Sequence, residues 1–292
     1  MHAEESIERV GVVGCGLMGS GIAEVCARQG LDVAVVDATE AAVKAGRDRV
    51  ERSIANAVRR GKLTDDDAEA ARARLSFADD LDLLADRQLV VEAVTEDEQV
   101  KTDVFRRLDQ VVAATDAILA SNTSSIPIMK LGMATRRPQQ VVGLHFFNPV
   151  PVLPLVELVS SLVTSPATTE AAASFAADVL GKHVIRSQDR AGFIVNALLI
   201  PYILSAIRML ESGFATADDI DTGMVEGCAH PMGPLALADL IGLDTTMAVA
   251  ESLYAEFKEP LYAPPPLLNR MVEAGLLGRK TGRGFHDHTA RR

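Results

Sequence analysis

The sequence predicts an α/β protein in two parts: a domain on a mostly parallel sheet over residues 1–188, then an all-helical C-terminal domain over residues 189–292. Three observations lead there. Short β-branched runs alternate with amphipathic stretches through the first half, the pattern of βαβ units in a parallel sheet. A strand running through a glycine-rich turn into a helix opens the chain. After Asp189 the strand pattern stops and only helical patterns follow, and a length of 292 residues accommodates two ordinary domains.

In chain order, the expected strands are Arg9 to Val13, Asp32 to Val36, Leu89 to Val94, Ala117 to Ala120, Val141 to Phe147 and Leu155 to Val159. A helical run from Thr168 to Gly181 leads into a strand around His183 to Ser187. Helices are then expected at Gly192 to Ser212, Ala217 to Cys228, Leu235 to Ile241, Asp244 to Phe257 and Pro266 to Ala274, punctuated by PMGP and APPP. The first of these, GFIVNALLIPYILSAIRML, imitates a membrane span but contains Asn196, Pro201 and Arg208. It reads as a helix buried on nearly all faces, inside a helical domain or a subunit interface.

Composition excludes several function classes. The chain is 48% hydrophobic and 24% charged, which suits a globular core and argues against disorder. Aromatics are scarce and Trp is absent, so a nucleobase-stacking face is not expected. The formal charge of -11 repels phosphate backbones and anionic membranes, so neither nucleic acid nor membrane is an expected partner. Cys15, Cys26 and Cys228 lack CxxC spacing and cannot all pair, which suits a reducing compartment. The opening MHAEESIER is unlike a signal peptide, so a cytoplasmic location is expected.

The passage RVGVVGCGLMGSGIAEVCARQGLDVAVVDATE carries the first chemistry. Gly14 permits a tight turn, Gly16 lets backbone approach a pyrophosphate, and Gly19 allows close helix–strand packing, while the helix N-terminus offers free N–H groups to phosphate. The next strand ends in Asp37, 18 residues past Gly19, where a carboxylate would accept hydrogen bonds from an adenosine ribose. The context describes a Rossmann-like dinucleotide site, with Gly14, Gly16, Leu17, Met18, Gly19 and Asp37 as its expected contacts. No arginine follows Asp37 at once, which favours NAD over NADP.

Next comes KAGRDRVERSIANAVRRGK, with seven basic residues and two acidic ones on an acidic protein. Val50, Ile54 and Val58 recur every four residues and mark a buried face. Ser53 and Arg60, seven apart, share a stripe two turns long. A solvated face explains such a run ordinarily; a clamp for a phosphorylated substrate is the alternative.

GLHFFNPVPVLPLVELV is almost wholly apolar yet holds His145 and Glu157. Ionisable groups are costly among apolar neighbours unless paired or used. A satisfied core histidine and a base with a carboxylate partner both fit the stretch by itself.

VGVVGCGLMGSGIA, ASNTSSIPI, GLHFFNPVPVLPLVELV and GFIVNALLIPY, continued by AHPMGPLALADLIGLDTT and GRKTGRGF, together resemble the L-3-hydroxyacyl-CoA dehydrogenase family over nearly the whole chain. The resemblance implies an NAD-binding domain, a helical domain that makes a homodimer, an acyl-CoA thioester as substrate, and a place in fatty-acid or butanoate metabolism. It implies that His145 is the catalytic base and Glu157 its orienting partner, that Ser124 holds the substrate oxygen, and that Asn196 completes the pocket. By the same resemblance Glu96, Lys101, Ser124, Asn148 and Lys280 would touch the cofactor, and Ser53 and Arg60 would meet coenzyme A. His286 stands where the family usually has Tyr, and no metal is expected at His286 and His288, since two loop histidines lack a ligand set.

The chemistry suits these groups. Oxidising a 3-hydroxyacyl thioester removes a hydroxyl proton, and an imidazole, whose ordinary pKa is about 6.5, is matched to that task. Phe146 and Phe147 would exclude water, although packing alone also explains them. An NAD enzyme of a free hydroxy acid or sugar acid is the rival on the same fold; a retired binding protein would have no chemical need for Ser124, His145, Glu157 and Asn196.

Overall fold

The computed structural model describes residues 6–289, and the first residues, MHAEE, whose polarity argued against a leader, lie outside them. The chain divides between Asp189 and Arg190 into two compact units.

The first unit is built on eight strands: β1 (Arg9–Val13), β2 (Asp32–Val36), β3 (Leu75–Ala78), β4 (Leu89–Glu92), β5 (Ile118–Ser121), β6 (Val141–Phe146), β7 (Leu155–Ser160) and β8 (His183–Gln188). They form one sheet in the order β3-β2-β1-β4-β5-β6-β7-β8. Strand order reverses between β1 and β4, the topological switch point beside which open α/β sheets hold ligands. β4 and β6 are buried at every position, so their apolar runs are continuous rather than alternating, as helices on both faces require. Every neighbouring pair is parallel except β6 with β7. The sequence reading lacked β3, LSFA, a four-residue edge strand that pairs only with β2.

Six helices cover this sheet: α1 (Leu17–Arg28), α2 (Glu40–Arg59), α3 (Asp65–Ala73), α4 (Glu98–Val111), α5 (Ile128–Met133) and α6 (Pro166–Ser174). Their starts are written in the sequence. Thr39, Thr64, Asp97 and Ser165 each accept a hydrogen bond from a backbone N–H three residues on, a cap worth about 0.5–2 kcal/mol. The helical run expected at Thr168 to Gly181 is α6 followed by a π-helical turn, Phe175–Val179. Asp189 closes the unit by accepting from Ile128 N at 2.8 Å and Met129 N at 2.7 Å, the first turn of α5.

The second unit contains α7 (Val195–Glu211), α8 (Ala217–Cys228), α9 (Pro234–Ile241), α10 (Leu243–Phe257) and α11 (Pro266–Glu273) around Ile203, Leu204, Ile207, Leu235, Leu253 and Leu268. Among the described residues no helix is long and apolar enough to cross a membrane. Within this chain α7 buries Ile200, Ile203, Leu204 and Ile207 and leaves Leu198, 73% exposed, and Met209 at the surface, so the chain alone covers only part of the helix expected to be buried inside a helical domain or a subunit interface.

One close approach couples α2 to the glycine turn. A Cβ at Gly46 would lie 1.7 Å from Cys15 Sγ, so only glycine lets the helix sit this near. Gly46→Ala should therefore destabilise the protein by about 1–3 kcal/mol through overpacking. Thermal melts of Gly46→Ala and of Gly46→Ala with Cys15→Ala check this: part of the lost stability should return in the double variant, and a purely additive pair of losses would refute the contact.

Candidate active site

The functional edge is where β1, β2, β4, β5 and β6 end. Gly14 leaves β1 with φ of 93°, and a Cβ there would meet Ala93 O at 2.6 Å, so both geometry and space demand glycine. A Cβ at Gly19 would fall 1.8 Å from Gly14 O, which is how α1 comes to lie against the turn. At Gly16 a Cβ would meet nothing within 4 Å. α1 starts there without a side-chain cap, leaving its first N–H groups unclaimed by any cap. Leu17 is exposed at that start, while Met18 packs partly into the core.

Beside the turn is a cleft of about 480 Å³, lined among others by Gly14, Gly16, Val36, Asp37, Val94 and Val104. Asp37 is fixed by two backbone donors, Cys15 N at 2.6 Å and Ala38 N at 2.7 Å. A glycine turn, an uncapped helix start and a held carboxylate beside an apolar cleft fit the pyrophosphate and adenosine ends of a dinucleotide.

The ASNTSS loop after β5 is tied down by carboxylates. Glu92, 0% exposed at the end of β4, accepts from Val94 N at 2.7 Å, Ser121 Oγ at 2.6 Å and Lys101 Nζ at 2.6 Å. Lys101 is 1% exposed and also lies 3.3 Å from Glu96. Glu96 in turn accepts from Thr123 Oγ1 at 2.5 Å and from the backbone N–H of Ser124 at 2.9 Å. Burial pushes the Glu96 carboxyl up, but the Lys101 charge and these hydrogen bonds outweigh it and hold its pKa below the ordinary value. Lys101 thus spends its ammonium inside the protein, holding Glu96 and through it the loop. Sequence reasoning missed Glu92; its signal was an acid closing the apolar strand LVVE with a lysine nine residues on.

His145 and Glu157 are direct cross-strand partners in the antiparallel β6–β7 pair. His145 Nδ1 lies 2.7 Å from Glu157 Oε2, with the histidine side chain 6% and the glutamate side chain 0% exposed. An ionised carboxylate only accepts, so Nδ1 carries the proton in this pair and Nε2 keeps its lone pair when the ring is neutral. On the Nε2 side, Ser124 Oγ lies at 3.1 Å. Phe147 tilts against the imidazole with ring centroids 4.6 Å apart. Asn122 Oδ1 accepts from Phe146 N at 2.8 Å, joining the ends of β5 and β6. Asn148 is exposed just beyond β6, and Val150 follows against α1, where a Cβ at Gly21 would come within 2.9 Å of it.

Of the other expected residues, Ser53 lies on α2 and hydrogen-bonds the buried Glu24; burial pushes that carboxyl up, while Ser53 and Arg28 oppose the shift. Arg60 is exposed at the C-terminal end of α2. Asn196 belongs to the first turn of α7, and Lys280 pairs with Asp244, both in the second unit. His286 and His288 are hydrogen-bonded within that unit, to Asp221 at 2.8 Å and Asp239 at 2.9 Å, so each ring has a structural partner.

Residues 9–190 match the family model described as 3-hydroxyacyl-CoA dehydrogenase, NAD binding domain, and residues 192–288 match 3-hydroxyacyl-CoA dehydrogenase, C-terminal domain. The chain is 60% identical over 284 residues to a 3-hydroxybutyryl-CoA dehydrogenase of Mycobacterium tuberculosis, covering 97% of this chain and 99% of the relative. It is 40% identical over 289 residues to human mitochondrial hydroxyacyl-coenzyme A dehydrogenase, covering 97% and 91%. A crystal structure of (S)-3-hydroxybutyryl-CoA dehydrogenase from Ralstonia eutropha superposes with a TM-score of 0.92 at 46% identity, covering 97% of this chain and 100% of that one.

A depressed Glu96 pKa gives a signed pH effect. Its stabilisation is complete above the ordinary carboxylate pKa of about 4.3 and is lost as pH falls through the lower folded value. Thermal midpoints recorded between about pH 6 and pH 3 should fall less steeply for Glu96→Gln than for the parent; parallel acid limbs would mean Glu96 is not held ionised.

Proposed function

The chain belongs to the 3-hydroxyacyl-CoA dehydrogenase family, and from that premise we propose that it catalyses the reversible, NAD-dependent oxidation of (S)-3-hydroxyacyl-CoA, of short chain such as 3-hydroxybutyryl-CoA, to 3-oxoacyl-CoA. The observation that carries the reading is the run Glu157–His145–Ser124, with separations of 2.7 Å and 3.1 Å, at the carboxyl edge of the sheet that bears the glycine turn.

When bound, NAD supplies the two-electron acceptor. The chain's own residues do the rest. Gly14, Gly16 and Gly19 with the start of α1 receive the pyrophosphate, and Asp37 receives the adenosine ribose. His145 Nε2 accepts the proton of the 3-hydroxyl in oxidation and returns it in reduction. Glu157 fixes the tautomer and stabilises the imidazolium that forms. Ser124 Oγ holds the substrate oxygen close to Nε2, and Glu96 with Lys101 keeps the Ser124 loop in place. Phe147, packed on the ring, limits water. Asn196 from the second unit and Ser53 and Arg60 on α2 are the proposed acyl-CoA contacts, the cationic Arg60 suiting a phosphate. The second unit, with its exposed apolar residues on α7, is the proposed homodimer surface, and the cytoplasm the proposed location.

Kinetics separate the thioester reading from a free hydroxy acid. NADH oxidation with acetoacetyl-CoA should exceed that with free acetoacetate by orders of magnitude in kcat/KM, and equal rates would move the substrate to a carboxylate.

Variants test the pair. His145→Gln should lose about 10²–10⁴ of turnover while still binding NADH. Glu157→Gln should lower kcat with a smaller change in KM, since the amide no longer selects the Nδ1–H tautomer by charge. Near-parent turnover in His145→Gln would remove the proposed base.

A further inference from the structure

β2 and β3 run in parallel with Val36 opposite Ala78, and Asp37 N donates to Ala78 O at 3.3 Å. The residues that follow, Asp37 and Asp79, therefore stand side by side where the two strands end, and both line the 480 Å³ cleft. They differ in their surroundings. Asp37 is held by the Cys15 and Ala38 backbone N–H groups. Asp79 is exposed and has no hydrogen bond or ion pair among the described residues. It also lines a second, more open groove with Glu40, Lys44, Arg47 and Phe77. There the Arg47 guanidinium lies 4.9 Å over the Phe77 ring, and Lys44 has no ion pair among the described residues. A basic pair thus stands one side chain beyond the carboxylate proposed to meet the ribose.

We propose that Asp79 is a second determinant of cofactor choice: beside Asp37, it closes the adenosine end of the cleft to a 2′-phosphate that Lys44 and Arg47 would otherwise receive. The inference rests on the NAD reading of the glycine-turn cleft. The ribose of NAD presents a neutral 2′-hydroxyl, which Asp37 can accept from without Asp79. The 2′-phosphate of NADP is close to dianionic at pH 7 and would face two carboxylates in a partly enclosed space, where like charges repel more strongly than in water. Neutralising Asp79 removes one of them and leaves the phosphate facing Lys44 and Arg47, tempered by Glu40.

The test uses the full-length protein and the nicotinamide's own fluorescence to measure NADH and NADPH binding without any acyl substrate. Asp79→Asn should tighten NADPH binding by about tenfold or more and leave NADH within about threefold, on the scale of one charge interaction in a semi-enclosed site. Asp79→Ser should do the same, and because the side chain is exposed both variants should fold. Adding Lys44→Met and Arg47→Met to Asp79→Asn should cancel the gain. Unchanged NADPH affinity in both Asp79 variants overturns the proposal, as does an equal loss for NADH and NADPH, which would make Asp79 an ordinary ribose ligand. A gain that survives removal of Lys44 and Arg47 overturns it too. A parent protein that bound neither nucleotide would sink the dinucleotide reading and this proposal with it, a result distinct from an NADH-binding protein indifferent to Asp79.

Discussion

One antiparallel register organises the site. β7 runs against β6 in an otherwise parallel sheet, and that reversal sets Glu157 directly across from His145. Both side chains are buried, and each is costly to bury without the other: removing one partner leaves a desolvated polar group unsatisfied. The pairing and the burial therefore support each other. The chain needs residues 147–154 to turn back, and Lys182 holds that turn by donating to Val150 O and Leu153 O, each at 2.7 Å. Burial pushes the Lys182 pKa down, and the nearby Arg28 charge adds to the shift, so the turn is held by a partly desolvated ammonium on two carbonyl oxygens rather than by a surface salt bridge. Because Val150 also packs on α1, the turn sits between the histidine's strand and the helix at the glycine turn.

The serine at the far side of the imidazole depends on a second set of buried charges. Glu92 and Lys101 are both removed from water and meet at 2.6 Å, and Glu92 also accepts from Val94 N and Ser121 Oγ. Such a pair adds little to stability against an apolar alternative, but breaking it costs about 3–5 kcal/mol. Its effect here is geometric. It fixes the ends of β4 and β5 together and leaves Glu96 to gather Thr123, Ser124 and Ser125 around one oxygen. A loop of small polar residues, otherwise free to choose among local hydrogen bonds, is held to one conformation.

Most of the fold was legible because its signals are local. β-branched runs, cap residues and GCGLMG each act within a few residues of themselves, and so did the switch to helices after Asp189. The candidate site was legible where an ionisable group interrupts an apolar run, as with His145 and Glu157, and the residues between them gave room for a reversal. What stayed hidden is what depends on neighbours far along the chain. Periodicity carries no strand direction, so nothing in PLVELV announced that β7 is antiparallel. LSFA is short and partly exposed at the sheet edge, which leaves it without a clear pattern. Asp79 could not be set beside Asp37 without β3, and Glu92 looked like the polar end of a strand until Lys101 folded back on it. The histidines at 286 and 288 had no visible partners because Asp221 and Asp239 lie 65 and 49 residues away.

The electrostatics answer a question raised by net charge. A protein of formal charge -11 should repel dinucleotides and coenzyme A, both anionic. Field at a site is set by what lies within about a Debye length, roughly 8 Å at physiological salt, rather than by the total. Two acids near that edge are paired with a cation, Glu92 and Glu96 both with Lys101, while Asp37 is held by two backbone N–H groups that orient the carboxylate without cancelling its charge. α2 keeps its cations close to the glycine turn, with Arg49 donating to Cys15 O at 2.7 Å and Arg47 stacked on Phe77. Among the described residues Asp79 has no such partner, and it stands beside Asp37 in the cleft where β2 and β3 end.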